Sequence, residues 1–172
     1  MAKLRKMLGS PNSLYVVSIR QLMETQSKTT LAQWCLDYAR TEVLPIYKKA
    51  YPEDTRGELA LDAAARWLTG ELKLPQVKKQ ILSAHGAARE AEGDPAAQAA
   101  MRAVAQASSV IHVPSHALGL VYYGTAALAY AHLGINQSEE TYDQAAAKAS
   151  SRMEESLRSV SVKDELHPVL FK

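Results

Sequence analysis

The chain has a single cysteine, Cys35, and a single phenylalanine in 172 residues. One thiol excludes an internal disulfide framework and suits a reducing compartment, so a cytoplasmic location is expected. Charge of one sign is also missing: 20 basic and 18 acidic residues leave a formal net charge of +2. The basic run KLRK at Lys3–Lys6 is too short to form a face. Nucleic-acid binding normally shows a basic stripe, so no nucleic-acid partner is expected. There is no Gly-rich phosphate loop, because AHGAAR around Gly86 is a helical stretch with one glycine. Gly9, Pro11 and Asn12 interrupt Met7–Ile19, which leaves no signal-peptide core. Gly/Ser linkers, low-complexity segments and fixed-period repeats are absent too. A chain of this length, 47% hydrophobic and 22% charged, reads as one domain with one core.

What the sequence does have is a long uncharged stretch. No Lys, Arg, Asp or Glu occurs between Arg102 and Glu139, and Ser109–Gly134 is apolar on nearly all sides. Such a helix is either central in a bundle or a membrane span. His112, His116, Pro114, Ser115 and Gly119 inside it, with no flanking basic residues, argue against a span because intramembrane polar groups are costly. No membrane partner is expected. At 100° per residue, Arg102, Gln106, Ser109, His112, His116 and Tyr123 fall within a stripe about 120° wide. A buried polar stripe needs partners, so it is either a network that fixes the packing or a site.

The remainder reads as helices. LYVVSIRQLM (Leu14–Met23) is rich in β-branched residues and is taken as part of an N-terminal arm, residues 1–26. Ser27 caps a helix over Thr30–Ala50 that Pro45 should kink. Asp54 or Thr55 opens a second helix to Leu68, stopped by Gly70, with a Glu58/Asp62/Arg66 ion-pair ladder on its surface. A third begins at Pro75 and runs to about Glu92. Asp94-Pro95 starts a fourth. Pro114 must bend or break its continuation, and Asn136 or Ser138 caps a last helix to Val160. The expected fold is all-α: a single compact bundle of five or six helices over residues 27–160, with a central, Pro-kinked helix. Residues 161–172 form a tail packed on the bundle.

His112 and His116, four residues apart, could share a metal, with His85 or Asp37 completing the set. Val113 stands where a zinc-protease motif would need Glu. No nucleophile presents itself, since Cys35 has no neighbouring base and Ser115 no recognisable elbow. Trp34 and Trp67 read as anchors between helices rather than a ligand box.

One set of residues carries a resemblance. Trp34, Val43–Pro45, Ala65-Arg66-Trp67, Gly70, Ala84-His85, Ala87-Ala88-Arg89, Arg102, Gln106, His112, His116-Ala117, Gly119 and Tyr123 follow one another in a distinctive order and spacing. In this the chain, from Leu31 to its C-terminus, resembles a bacterial family of small helical immunity proteins associated with polymorphic toxin systems. Pro114 and Ser115 depart from the helical residues usual there. The resemblance implies a non-enzymatic protein that neutralises a cognate protein toxin by stoichiometric binding, with no cofactor. The site residues it carries over are Arg66, His85, Arg89, Arg102, His112 and His116, with Gln106 and Tyr123 beside them. Self-association into a homo-oligomer is left open. The alternative from another class is a metal-dependent or small-molecule-binding helical-bundle enzyme built on His85, His112 and His116.

Overall fold

A computed structural model of the chain describes residues 3–171. Met1, Ala2 and Lys172, at the ends of the expected arm and tail, lie outside the described residues. Its α-helices are α1 (Leu14–Met23), α2 (Lys28–Tyr38), α3 (Leu44–Ala50), α4 (Arg56–Leu68), α5 (Leu74–Glu90), α6 (Pro95–Ser109), α7 (His116–Leu133) and α8 (Glu139–Val160). A π turn, Ala39–Val43, joins α2 to α3 in one continuous rod, so the described residues form seven helices rather than five or six. There is no strand among them, only an isolated bridge between Ser27 and Pro168.

The central segment is broken, not kinked. α6 ends at Ser109, and α7 restarts only at His116. Pro114 has no N–H to donate, and in a continuous helix its ring would strike the Val110 carbonyl. The chain turns instead, with the amides of His112 and Val113 bonded to the Ser109 carbonyl at 3.3 and 3.2 Å. Those of His116 and Ala117 bond to Val113 and Pro114 at 3.1 and 3.0 Å. The two halves fold back against each other, and α6 packs more extensively on α7 than on any other helix, then on α5, α3 and α4. Alanines 97, 99, 100, 103, 105 and 107 are all buried on α6, which lets its neighbours approach on nearly every side. Ser108 and Ser109 are buried there too; each hydroxyl donates to the carbonyl four residues back, at 2.9 and 2.8 Å.

Pro45 is accommodated differently. Its ring would clash with the Thr41 carbonyl in a regular helix. The π turn adds a residue just before it, and the Leu44 amide reaches back to the Ala39 carbonyl. The helix therefore continues without the expected interruption.

Leu14–Met23, expected as an arm, is a helix. Val16, Ile19 and Met23 recur at helical spacing and are fully buried, with α1 lying on α8. The β-branched residues lower its propensity, but burial of that apolar face outweighs a few tenths of a kcal/mol per residue. The Glu58/Asp62/Arg66 ladder does not form either. Each finds a partner off the ladder: Lys48 for Glu58 at 2.9 Å, Arg40 for Asp62 at 2.7 Å, Glu71 for Arg66 at 2.9 Å. The expected caps are present, with Ser27, Asp94 and Ser138 accepting from the amides of Thr30, Ala97 and Thr141.

The C-terminal stretch is tied down at the start of α2. The Val169 amide bonds to the Gln26 carbonyl at 2.8 Å, and Val169 and Phe171 are buried. The Glu165 carboxylate accepts from the Ser27 amide at 2.9 Å, the Ser27 hydroxyl at 2.7 Å and the Thr30 hydroxyl at 2.5 Å. Burial alone would raise its pKa, but these donors together hold it below the usual carboxylate range. Replacing Glu165 with Ala should cost about 1–3 kcal/mol in denaturant unfolding, since charge-assisted hydrogen bonds are among the stronger ones. An unchanged midpoint would mean that the clamp contributes nothing.

Candidate functional site

The α6–α7 hairpin brings its polar residues together across the interface rather than along one helix. His116 Nδ1–H donates to Gln106 Oε1 at 2.8 Å. The Arg102 guanidinium lies over the Tyr123 ring, 6.0 Å from its centroid. Gln106 thus faces His116, and the earlier Arg102 faces the later Tyr123, the pattern of antiparallel helices. Gly119 makes the first contact possible. A Cβ there would overlap Oε1, Cδ and Cγ of Gln106. His112 lies on the turn, its ring 5.8 Å from that of His116 and tilted by 46°.

α5 supplies the third wall. Burial, then the charges of Arg102 and Arg89, push the His85 imidazole below its ordinary 6.5. His116 is lowered by burial, then by His112 and His85. His112 is lowered by burial, then by Lys78 of α5 and Lys28 of α2. The fixed charges that act on His85 and His112 after burial are Arg102, Arg89, Lys78 and Lys28, whereas His116 feels the two neighbouring imidazoles. None of Lys28, Lys78, Arg89 or Arg102 is in an ion pair among the described residues, whereas arginines 5, 20, 40, 56, 66 and 158 all are. Lys28 instead sits over the Trp67 ring, 5.7 Å from its centroid.

Three buried side-chain polar atoms have no hydrogen-bond partner among the described residues, and two are here: Arg102 Nε and His112 Nδ1. The third, Glu58 Oε2, belongs to a carboxylate whose other oxygen is paired with Lys48. Both atoms are covered by the protein itself, and His112 Nδ1 can donate or accept according to its tautomer.

Of the residues expected at a site, His85, Arg89, Arg102, Gln106, His112, His116 and Tyr123 converge on this cluster. Arg66 does not; it is exposed, paired with Glu71, and lines a different groove with Leu72 and Gln80. Asp37 is also elsewhere, accepting from Gln33 at 3.1 Å. The metal set His85/His112/His116/Asp37 is not assembled, because no three His, Cys, Asp or Glu residues among those described could hold an ion. Cys35 is fully buried, which pushes its thiol far above the usual range. Lys28 and Lys78 were not anticipated. Lys78 was legible in principle, since it lies two turns before His85 on the same face of α5. Lys28 was not, because only tertiary packing brings α2 alongside.

A second concavity was also not anticipated: an open groove of about 670 Å³ between α2 and α8, lined by Trp34, Asp37, Tyr38, Glu42, Arg152 and Ser156. Within it Trp34 Nε1–H donates to Ser156 Oγ at 3.0 Å, while Arg152 forms no ion pair among the described residues. Burial, then Glu42, push the Tyr38 hydroxyl up to about 12. The cluster, which gathers seven of the residues expected at a site, is the stronger candidate.

Residues 21–156 match the family described as Imm-5 like putative immunity protein. The chain belongs to that family. No curated protein and no solved structure matches it. The matched span of this immunity-family protein contains all the cluster residues, whereas the Glu165 clamp lies beyond it. Among the described residues no helix is long and apolar enough to cross a membrane.

Two outcomes follow from the cluster. Gly119→Ala would ordinarily stabilise a helix interior by up to about 1 kcal/mol. Here it must displace Gln106 and break the bond to His116, so the gain should vanish, and the His116 ring resonances should shift in NMR spectra. A variant stabilised by the full propensity difference with His116 unmoved would contradict the contact. The second outcome concerns pH. The three histidines have folded pKa values below the unfolded 6.5. Below pH 6.5 the unfolded chain therefore takes up protons that the folded one resists. Stability should fall as pH drops from 7 towards 5, above the range where Asp54, Glu71, Glu90 and Glu165 lose theirs. Thermal melting of His85→Gln should show a flatter slope in that window.

Proposed function

We propose that this protein is a non-enzymatic immunity-type binder that acts in the cytoplasm and neutralises a toxin protein by stoichiometric association. We propose further that the α5–α7 cluster is part of its toxin-facing surface. Family membership supports the general reading. The observation that carries the location is the gathering of Gln106, His116, His112, Arg102 and Tyr123 across the α6–α7 hairpin, with Arg102 in no ion pair among the described residues. Functional polar groups are commonly not optimised for folding.

The alternative, a metal-dependent or small-molecule enzyme using His85, His112 and His116, draws no support from the arrangement of ligating groups among the described residues. Gln106 occupies His116 Nδ1, and each of the three rings is depressed towards neutrality first by burial, with no hydrogen bond to a carboxylate among the described residues. A general base in a hydrolytic triad is ordinarily oriented by such a carboxylate.

Co-expression with the toxin domain of its own locus tests the reading. Growth should be restored, and the two proteins should elute as a one-to-one complex with toxin activity suppressed in proportion to the amount bound. Protection without a complex would replace binding by catalysis. Neither protection nor a complex would remove the reading altogether.

A further inference from the structure

We infer that the groove between α2 and α8 is a binding site for a small zwitterion with an aromatic or apolar side chain, of the kind an α-amino acid presents. The ligand's carboxylate meets Arg152 and the Tyr38 hydroxyl, and its ammonium meets Glu42 and Asp37. None of these residues belongs to the α5–α7 cluster, so the site stands whether or not the chain neutralises a toxin.

Helical spacing builds the groove. Thr30, Trp34 and Tyr38 recur every fourth residue on α2, and Glu42 carries the same ridge into the π turn. Arg152, Ser156 and Val160 do the same on α8. The bond from Trp34 Nε1–H to Ser156 Oγ, 3.0 Å long, ties the two walls together at their middle turn. Between them lies about 670 Å³ of open space, inside the range of about 300–1,000 Å³ that small-molecule sites occupy. The Trp34 and Tyr38 rings form its base, with centroids 5.5 Å apart and planes tilted by 38°. Trp34 is nearly covered and Tyr38 half-buried, so packing holds that base in place.

Charges of both signs line this one concavity without pairing. Arg152 stands on the α8 wall, Asp37 and Glu42 on the α2 wall. None of the three is in an ion pair among the described residues. The Asp37 carboxylate accepts from Gln33 through one oxygen, at 3.1 Å, which leaves the other. Tyr38 lies between the two signs, since Glu42 raises its pKa and Arg152 opposes that rise. Its hydroxyl makes no hydrogen bond among the described residues and is not one of the covered atoms, so it opens into the groove. Unpaired charges occur elsewhere on the surface. Here opposite ones face each other across an aromatic base. A lone cation would gain the carboxylates and be repelled by Arg152, and a lone anion would meet the reverse. A zwitterion satisfies both: its carboxylate accepts from the guanidinium and the phenol, and its ammonium donates to the carboxylates. An apolar side chain then covers the base.

NMR titration of the full chain with L-phenylalanine, and with two relatives that each lack one of its charged groups, phenethylamine and hydrocinnamate, tests the inference. L-Phenylalanine should bind about tenfold more tightly than either, since each lost group forfeits a charge-assisted contact. It should move the indole N–H resonance of Trp34 and leave that of Trp67, which does not line the groove, in place. Arg152→Gln and Glu42→Gln each change an exposed side chain. Each should keep the parent melting temperature while weakening L-phenylalanine about tenfold. Arg152→Gln should also strengthen phenethylamine, because the repelling charge is gone, and Lys79→Gln, on α5 and away from the groove, should change nothing. Phenethylamine or hydrocinnamate binding the parent as tightly as L-phenylalanine would overturn the inference. So would an unmoved Trp34 indole, affinity untouched by Arg152→Gln, or no binding of any of the three at millimolar concentration.

Discussion

A missing amide hydrogen at Pro114 governs how this protein is built. The most apolar segment of the chain cannot run on as one rod past Val110, so it ends at Ser109, turns, and returns as α7 against α6. Folding the segment back on itself buries two apolar surfaces against each other, and it turns one long helix into a hairpin on which the others assemble. α5, α4 and α3 pack on α6, while α8 packs on α7 and carries α1. The alanines of α6 make this possible, because a helix surrounded on nearly every side must be thin.

The same break positions the polar cluster. Residues from α6 and α7 meet across the hairpin, where Gly119 leaves room for Gln106 to reach His116. α5 then closes the third side with His85. The cost is visible in the electrostatics: three imidazoles pushed towards neutrality, and Arg102 Nε and His112 Nδ1 buried without a hydrogen-bond partner among the described residues. Other charges of the protein are paired internally, as at Asp54, which Arg56 and Tyr47 hold well below the usual carboxylate range.

Much of the helical order was legible. Ser27, Asp94 and Ser138 were readable as caps because a short polar side chain before an apolar periodic run has one good use, accepting from the first free amides. α1 was not readable with the same ease, since Val16, Val17 and Ile19 resemble a strand until their burial against α8 is known. The π turn at Ala39–Val43 was hidden as well, because Pro45 signals an irregularity but not which way the backbone will relieve it. At the cluster, the residue types were legible but their geometry was not. Projection on a single helical wheel put His112 and His116 in line with Arg102, whereas the turn places His112 off any helix and sets His116 opposite Gln106.

By itself, then, the sequence determined an all-helical chain, a bend or break at Pro114, and the presence of uncharged core next to histidine and arginine. These follow from local rules: periodicity, capping, and the covalent geometry of proline. Tertiary structure alone decided that α6 and α7 run antiparallel, that Lys28 and Lys78 join the histidines, that Arg66 and Asp37 lie elsewhere, and that no carboxylate reaches Arg102. Those are facts about which surfaces face each other. They depend on how apolar area is shared among seven helices at once, which no single stretch of chain encodes.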